Sequence, residues 1–469
     1  MSIKLNLIAP KKKIEDRELF DGKFVSLMYG VKKYSCYPAA LPLIAALTPD
    51  DIEIRIIDEN IEEINFDEKV DIVGITSNTF QSIRAYEIAD EFRKRNVTVV
   101  IGGVHATMLP EEAIRHADSV VVGEAENVWK EFINDYRSGK IKKFYRSNES
   151  PNLDILPVPR WELVKNKNYY FHSIQTTRGC PWNCEFCSVK SMYGSRYRYK
   201  PIPKVINEIK RALEIEKKLI LFADENFIGN KNYTKQLLKE IIPLKLTYFI
   251  QTSIDVADDN ELLDLLAESG CRKLCIGFES ISESNLRQMN KGRCNKIEFY
   301  AENIEKLQSY GFEIEGFMIF GYDFDDETIF EKTVNFINET NIIFPILNIL
   351  TPFPGTKLRD RLLNENRVLH NDWSKYDLSH VCFKPKLMSP ETLQNGYHWA
   401  RQEVFSYENI FKKLKRLWKL WNKNNVRYWD RISPLITNLS MNDVVYSFPK
   451  AINPKEFKNK VEFEINSLV

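Results

Sequence analysis

The sequence predicts an α/β protein with a Rossmann-like domain first, a partial (β/α)6 barrel next and an α-rich tail last. Three observations predict it. Short β-branched runs alternate with amphipathic helical stretches over residues 1–145. A proline-rich stretch without helical period then interrupts the pattern. From Ser173 onward six further strand–helix units follow, and the turn after the first carries three cysteines. The expected ranges are 1–145 for the first domain, 146–171 for a linker, 172–357 for the barrel and 358–469 for the tail. The chain of 469 residues, 43 % hydrophobic and 12 % aromatic, is long enough for two or three such cores. Lys+Arg of 66 against Asp+Glu of 65 leave a net charge of +1, so no polyelectrolyte field is present and nucleic acid is not an expected partner. Met1–Pro10 has no signal-peptide pattern, and no apolar run approaches the ~20 residues of a membrane span. A cytoplasmic protein with reduced cysteines, rather than a disulfide scaffold, is the expectation.

Taken in order, Ile3–Ala9 is a short apolar strand, Ala39–Leu47 a helical apolar patch and Ile52–Ile57 an alternating strand. Asp71–Thr76 (DIVGIT) reads as a buried strand and Ser82–Arg95 as an amphipathic helix carrying Ile83, Tyr86, Ile88, Ala89 and Phe92. Val97–Ile101 and Ser119–Val122 are further strands, the second followed by a helix that opens at Gly123-Glu124-Ala125-Glu126. Ligands of parallel sheets bind at the carboxyl ends of the strands. Thr76, Ser77, Thr79, Gly102, Gly103, His105, Gly123 and Glu124 all fall at such ends, and small residues there let a flat ligand approach the backbone. Asn148–Val164, with three prolines, reads as an extended linker. The barrel strands are expected at Ser173–Thr177, Leu219–Ala223, Thr247–Thr252, Lys273–Phe278, Glu313–Phe320 and Ile346–Leu350. Helices over Val205–Glu216, Asn232–Ile241, Glu261–Ser269, Lys296–Tyr310 and Glu327–Glu339 lie between the later ones. Active groups of β/α barrels also belong at the carboxyl ends of strands. Those ends read Asp224-Glu225-Asn226, Ser253, Glu279, Gly321-Tyr322-Asp323 and Thr351.

Cys180, Cys184 and Cys187 stand in a CxxxCxxC spacing with Gly179, Pro181 and Asn183, composition suited to a loop wrapped round a metal centre. Iron–sulfur cubanes usually take four cysteines, so three from one loop leave one iron open to another ligand. A zinc knuckle is the competing reading. Zinc wants a fourth Cys or His at short range, whereas the next cysteine is Cys271 and the nearest flanking histidine is His172, before the loop.

This spacing resembles the radical S-adenosylmethionine (SAM) superfamily, with Phe186 at its aromatic position before the third cysteine. The resemblance implies a 4Fe-4S cluster on Cys180, Cys184 and Cys187, with the amino and carboxylate groups of SAM on the open iron. It also implies that Asp224, Glu225 and Asn226 lie where the SAM amino group is held, with Ser253 and Glu279 toward its carboxylate and ribose; Thr351, at the end of the sixth strand, is a further cofactor-binding candidate. The competing reading for each is a strand-end structural hydrogen bond. The first third resembles the cobalamin-binding domain that precedes many radical SAM barrels, through its Ser/Thr loop and its Gly102-Gly103-x-His105-x-Thr107 step. One departure matters. Asp-x-His-x-x-Gly, the motif that supplies a cobalt ligand, is absent, and the corresponding loop is Pro10–Asp16. The resemblance then implies cobalamin without a histidine from that motif. His105 is weighed as a hydrogen-bonding residue ahead of a ligand. A Rossmann-like domain that has lost its cofactor is the alternative.

The full order, through about residue 410, resembles the branch of cobalamin-binding radical SAM proteins that includes the hopanoid methylases. It implies a C-methyltransferase acting on an unactivated carbon of an apolar lipid or natural product, through a 5′-deoxyadenosyl radical and methylcobalamin. An external electron donor of the flavodoxin or ferredoxin type is implied with it. Oxidative cyclisation, ring contraction or carbon–carbon coupling without methyl transfer is a second reading, and a non-catalytic cobalamin-sensing module a third. In the tail, Asp372–Asp377 and His380–Pro385 form an aromatic, polar segment suited to closing over the barrel mouth. Cys382 reads as a buried structural thiol ahead of a ligand or acid. Glu408–Arg427 is a basic amphipathic helix, with Leu414, Leu417, Trp418 and Trp421 on one face and Lys412, Lys413, Lys415, Arg416, Lys419 and Lys423 around it. Packing on the barrel is the favoured reading and peripheral membrane contact the other.

Overall fold

The computed structural model describes residues 2–11, 37–423 and 428–457. The first sheet has six parallel strands, β1 (Lys4–Ala9), β2 (Glu53–Asp58), β3 (Ile72–Thr76), β4 (Thr98–Gly102), β5 (Ser119–Val122) and β6 (Phe144–Arg146), in the order β2-β1-β3-β4-β5-β6. Alternation along the strands sends two sets of side chains to opposite faces. Ile8, Ile57, Val73 and Ile75 meet Ala85, Ile88, Ala89 and Phe92 of the helix Ser82–Arg93. Leu5, Leu7, Ile72, Val100 and Val121 meet Trp129 and Phe132 of the helix Trp129–Arg137, together with Leu41 and Ala45 of the helix Ala40–Leu47. The expected doubly wound sheet is present, with one strand more than expected: β6, at three residues, is too short for a period to show. Residues 12–16 of the loop after β1 lie outside the described residues.

The linker is extended and packs Leu153 and Leu156 on Leu43. Tyr169 donates to Asp58 Oδ2 at 2.7 Å, fastening the approach to the barrel onto the end of β2. The second sheet contains β7 (Phe171–Ile174), β10 (Leu219–Phe222), β11 (Tyr248–Thr252), β12 (Cys271–Glu279), β13 (Glu313–Phe320) and β14 (Phe344–Ile349). All are parallel, in the order β14-β13-β12-β11-β10-β7. Between β7 and β10 an antiparallel ribbon of β8 (Thr177–Arg178) and β9 (Arg198–Tyr199) brackets the cysteine loop. Six strands with helices on their outer face make the expected partial barrel. The helix expected from Lys296 begins as a 3-10 turn and becomes α-helical only at Tyr300.

The tail crosses both units. Val368 bridges Phe383, and Trp373, Tyr376 and Cys382 form a small core with Ile83, Leu109 and Phe353. Cys382 is fully buried, and its thiol donates to the Lys375 carbonyl at 3.1 Å. The helix Tyr407–Lys423 buries Leu417, with Leu414 partly buried, against Ile343 and Phe344. Phe344 is the first residue of β14, so this helix lies at the end of the barrel opposite the carboxyl ends of the strands. Lys413, read from sequence among the solvated charges, is buried, its Nζ donating to the Val404 carbonyl at 2.9 Å. Burial pulls it down to about 7. Trp418 is 40 % exposed, and the Trp421 side chain lies outside those described. Among the described residues no helix is long and apolar enough to cross a membrane.

Candidate active site

The carboxyl ends of the two sheets face one another across a cavity of about 330 Å³. One wall comes from the ends of β3, β4 and β5, with Thr76, Gly102, Gly103, Gly123 and Glu124. The other comes from the barrel, with Ser173, Gln175, Arg178, Tyr193 and Ala223. Gly103 is obligatory here. Its φ is +97°, and a Cβ would sit 2.7 Å from the Ser77 carbonyl oxygen. Thr107 Oγ1 donates to the Gly103 carbonyl at 2.8 Å and accepts from the Gly123 N–H at 3.0 Å, joining two of the three strand-end turns.

Not every residue expected at these ends reaches the cavity. Ser77, Thr79 and His105 are not on its wall. His105 is buried, with Nε2 3.3 Å from Glu112 Oε1. That oxygen also accepts from Tyr86 at 3.1 Å and from the Trp373 indole at 2.9 Å. The imidazole is therefore a hydrogen-bonding residue between the first unit and the tail. Glu124 is on the wall, but its carboxylate is engaged. Oε2 pairs with Arg178 at 2.7 Å and Oε1 with Arg198 at 2.6 Å, while Glu126 takes Arg178 at 2.5 Å. Sequence reading left Arg178, Arg198 and Glu126 unassigned. The basic residue two places before Cys180 was visible, whereas its partners are more than fifty positions away.

Around the cysteine loop the chain is tightly fastened. Gly179 has φ +91°, and a Cβ there would run into the Arg196 carbonyl. Cys180 N–H donates to the Gly194 carbonyl at 3.3 Å. Glu185 receives Arg361 through Oε1 at 2.9 Å and Oε2 at 3.2 Å. Arg361 continues to Asp323 at 2.7 Å, where Arg367, Lys386 and Gln288 also converge. Against the pull of burial, these donors hold the Asp323 carboxyl down at about 2. Burial pushes all three cysteine thiols up, Cys184 to about 12, with the Lys291 ammonium the largest opposing charge at Cys184. Such thiols ionise only when a cation replaces the lost solvation, which metal supplies. Among the described residues no three His, Cys, Asp or Glu are gathered round a single ion position. A cubane asks for a different arrangement, one thiolate per corner. The ring of Phe186 stands edge-on to Tyr322 at 6.5 Å.

The strand-end polar residues divide into two kinds. Asp224 is fully buried, and its Oδ1 accepts from the N–H and hydroxyl of both Thr176 and Thr177. Through that oxygen it ties down the turn that leads into the cysteines, while its Oδ2 is buried without a protein partner. Asn226 donates to Ser253 Oγ at 3.1 Å, Ser253 donates to Asp255, and Thr351 donates to the Ile349 carbonyl at 2.9 Å. Each hydroxyl gives its proton to the fold and keeps acceptor capacity. Glu225 Oε2, like Asp224 Oδ2, is buried without a protein partner, and burial raises the Glu225 carboxyl to about 7. Glu279, at φ +65° where β12 bulges against β13, pairs with Lys291 beside Cys184.

Inside the barrel, alternation turns Leu221, Gln251, Cys275, Glu315, Phe317 and Ile346 away from the helices. Register places Gln251 level with Cys275, Cys275 with Glu315, and Phe317 with Ile346. Glu315 holds Lys273 at 3.3 Å, and the ammonium lies 3.9 Å from the Phe344 ring centroid. Gln251 is exposed although its strand is internal to the sheet, so the lumen is open there.

A cavity between the carboxyl ends of two facing parallel sheets, with small residues on one wall and the strand leading to three cysteines on the other, fits a cobalamin-type domain joined to a radical SAM barrel. Family models agree. Residues 174–337 match the radical SAM superfamily and residues 26–133 the B12 binding domain. The chain belongs to the cobalamin-dependent radical SAM methyltransferase family. It is 34 % identical over 388 residues to the bacteriochlorophyllide d C-12(1)-methyltransferase of Chlorobaculum tepidum, covering 81 % of this chain and 84 % of that one. The hopanoid C-2 methylase of Rhodopseudomonas palustris is 28 % identical, over 71 % of this chain and 66 % of that one. The pigment methyltransferase is thus the more similar of these two. Among solved structures, the methyltransferase TsrM from Kitasatospora setae, with cobalamin and a 4Fe-4S cluster bound, superposes with TM-score 0.65 at 16 % identity. That match covers 90 % of this chain and 89 % of that one. The protein is accordingly an enzyme of a family that uses a 4Fe-4S cluster, SAM and cobalamin.

Proposed function

We propose that this enzyme methylates an unactivated carbon of an apolar ring-bodied molecule, a lipid or pigment-like natural product, that also carries a hydrogen-bonding group. The observation that carries it is the cavity between the carboxyl ends of the two sheets, with Arg178, two residues before the first cysteine, on its wall. Cys180, Cys184 and Cys187 would hold the cluster. Glu225 and the Glu279–Lys291 pair would meet SAM, Glu225 through a buried carboxylate oxygen that no protein group satisfies. Thr76, Gly102, Gly103 and Gly123 would face cobalamin, which is several times larger than the cavity and would place one portion there. Charged groups on the wall are paired among themselves, so the cavity suits a neutral portion. Bound there, the cluster with SAM supplies a radical that removes hydrogen, and cobalamin supplies the methyl group. The chain excludes water, fixes the cysteine loop through Asp224 and Arg361, and orients substrate in the lumen. Phe317 and Ile346 would contact an apolar body, and Gln251 would receive a polar group, because stripping it of water without replacement is costly.

In the same proposal the domains run as expected from sequence, shifted by one residue to keep β6 whole in the first and β7 whole in the barrel (1–146, 171–357 and 358–469, with a linker over 147–170), the protein is cytoplasmic, and a flavodoxin- or ferredoxin-type protein delivers the electron. Methyl-deuterated SAM tests the reaction. A product carrying the labelled methyl is expected beside 5′-deoxyadenosine. An unlabelled, oxidised product would turn the reading to cyclisation or coupling, and absence of SAM cleavage would turn it to sensing. Cobalt is expected to carry no histidine from this chain, since among the described residues no histidine lies on the cavity wall. Spin-resonance spectra of the cob(II)alamin form should lack axial nitrogen superhyperfine splitting, and its presence would refute this.

Membrane contact, where it occurs, would use exposed Tyr407, Phe411 and Trp418 on the helix at the far end of the barrel. It would localise the enzyme without turning the mouth to the lipid. Salt-sensitive flotation with anionic vesicles, weakened by Phe411→Ala/Trp418→Ala, is the expected result. Protein that stays at the bottom of the gradient in low and high salt would remove the membrane from the proposal.

A further inference from the structure

We infer that Arg178, held by Glu124 and Glu126, is a positioning residue that couples the filling of the inter-sheet cavity to the placement of Cys180. Filling the cavity with cobalamin would thereby change the cluster, and the cluster would change the affinity for cobalamin. The inference rests on the cofactor assignment proposed above and adds a communication between the two sites.

Four observations carry it. Arg178 stands two residues before Cys180, and its side chain is 8 % exposed, against 7 % and 6 % for its partners Glu124 and Glu126. All three lie on the cavity wall, so whatever fills the cavity touches both halves of the ion pair. Glu124 also binds Arg198, which is the register partner of Arg178 in the β8–β9 ribbon, so one carboxylate grips both strands at the base of the loop. Between Arg178 and Cys180 stands only Gly179, pinned in the left-handed region against Arg196, and Cys180 is itself bonded to Gly194. A displacement of the guanidinium has little slack before it reaches the first cysteine.

The physics favours coupling over stability as the use of this network. A buried ion pair is weak evidence for stability, because apolar residues of the same volume commonly do as well. What buried charges add is a steep dependence of energy on geometry, since screening is low. A neutral occupant that displaces water from the wall alters how Glu124 divides itself between Arg178 and Arg198. Linkage then requires reciprocity. The factor by which the cluster changes cobalamin affinity equals the factor by which cobalamin changes cluster affinity.

The test uses the full chain, anaerobically reconstituted, and hydroxocobalamin as the probe. Dissociation constants are measured for cluster-loaded and cluster-free protein, and the spin-resonance g-values of the reduced cluster are recorded with and without the probe. Wild type is expected to bind about tenfold more tightly when the cluster is present, a coupling of ordinary size, and its g-values are expected to shift on binding. Glu124→Gln and Glu126→Gln should bring the ratio toward one and erase the shift while iron content is retained. Arg178→Lys keeps the charge but loses the fork that bridges two carboxylates, and should fall between. A wild-type ratio of one with no shift overturns the inference whatever the variants do, and so does a ratio unchanged in both glutamine variants. Failure of wild type to bind hydroxocobalamin or to hold iron would instead overturn the cofactor assignment.

Discussion

Alanine at Cys180, Cys184 and Cys187 together is expected to yield a folded protein without iron. Wild type reconstituted anaerobically should hold about four irons per chain, the content of one cubane. The loop has independent support in the variant. Glu185 keeps its two contacts to Arg361, Leu358 N–H still donates to the Glu185 carbonyl at 2.9 Å, and Gly179 keeps its turn. The three thiols are half-buried and are not part of the main core. Loss of iron with unchanged far-ultraviolet circular dichroism separates a ligand role from a packing role. Iron retained at wild-type content in the triple variant would defeat the assignment and direct attention to Cys294, a further free, partly buried cysteine.

The second large effect is expected at Asp224→Ala. One oxygen of this carboxylate satisfies two backbone N–H groups and two hydroxyls in a site closed to water. Truncation leaves them without acceptors at about 1–3 kcal/mol for each group not rescued by water. With only the two N–H groups stranded, at about 2–6 kcal/mol together and roughly 2–4 °C per kcal/mol for a unit of this size, the barrel's unfolding transition should fall by about 4–24 °C. Iron content should fall with it, because the Thr176–Thr177 turn delivers the cysteine loop. Asp224→Asn keeps one acceptor and should lose less. Burial pushes the Asp224 carboxyl up while its four donors oppose this. An Asp224→Ala protein with wild-type melting and iron content, but weakened SAM binding, would return the residue to the ligand role expected from its strand-end position.

The contrast between these two predictions shows what was legible in the sequence. Three thiols within eight residues form a local pattern whose chemistry follows from spacing. Strand periodicity was equally local, and the six barrel strands stand within a few residues of where β-branched runs placed them. Asp224, Glu124, Ser253, Asn226 and Thr351 were found by position, and position was right about place while leaving their partners unknown. Whether a strand-end carboxylate faces a ligand or a neighbouring turn depends on residues tens of positions away, such as Thr176 for Asp224 and Arg178 for Glu124. The tail helix was half legible. Its apolar face was visible, and Leu417 packs as a core residue. Nothing local marked Lys413 as buried, because its cover is Phe405 and the Val404 carbonyl, contributed by a preceding helix end. The Glu279 turn and its bulge likewise come from pairing between β12 and β13.

The Trp373–Glu112 hydrogen bond spans 261 residues of chain, and it gives the molecule an order of completion in time. At translation rates of about 5–20 residues per second, the site around Glu112 and His105 waits roughly 10–50 s for the indole that closes it. During that interval the first sheet must stand on its own core, and the apolar edge at Ile83 and Leu109 lies open to the surroundings. A nascent chain in this state offers a sticky patch for as long as the barrel takes to be made, so slower synthesis of the barrel would raise aggregation without altering any property of the finished enzyme.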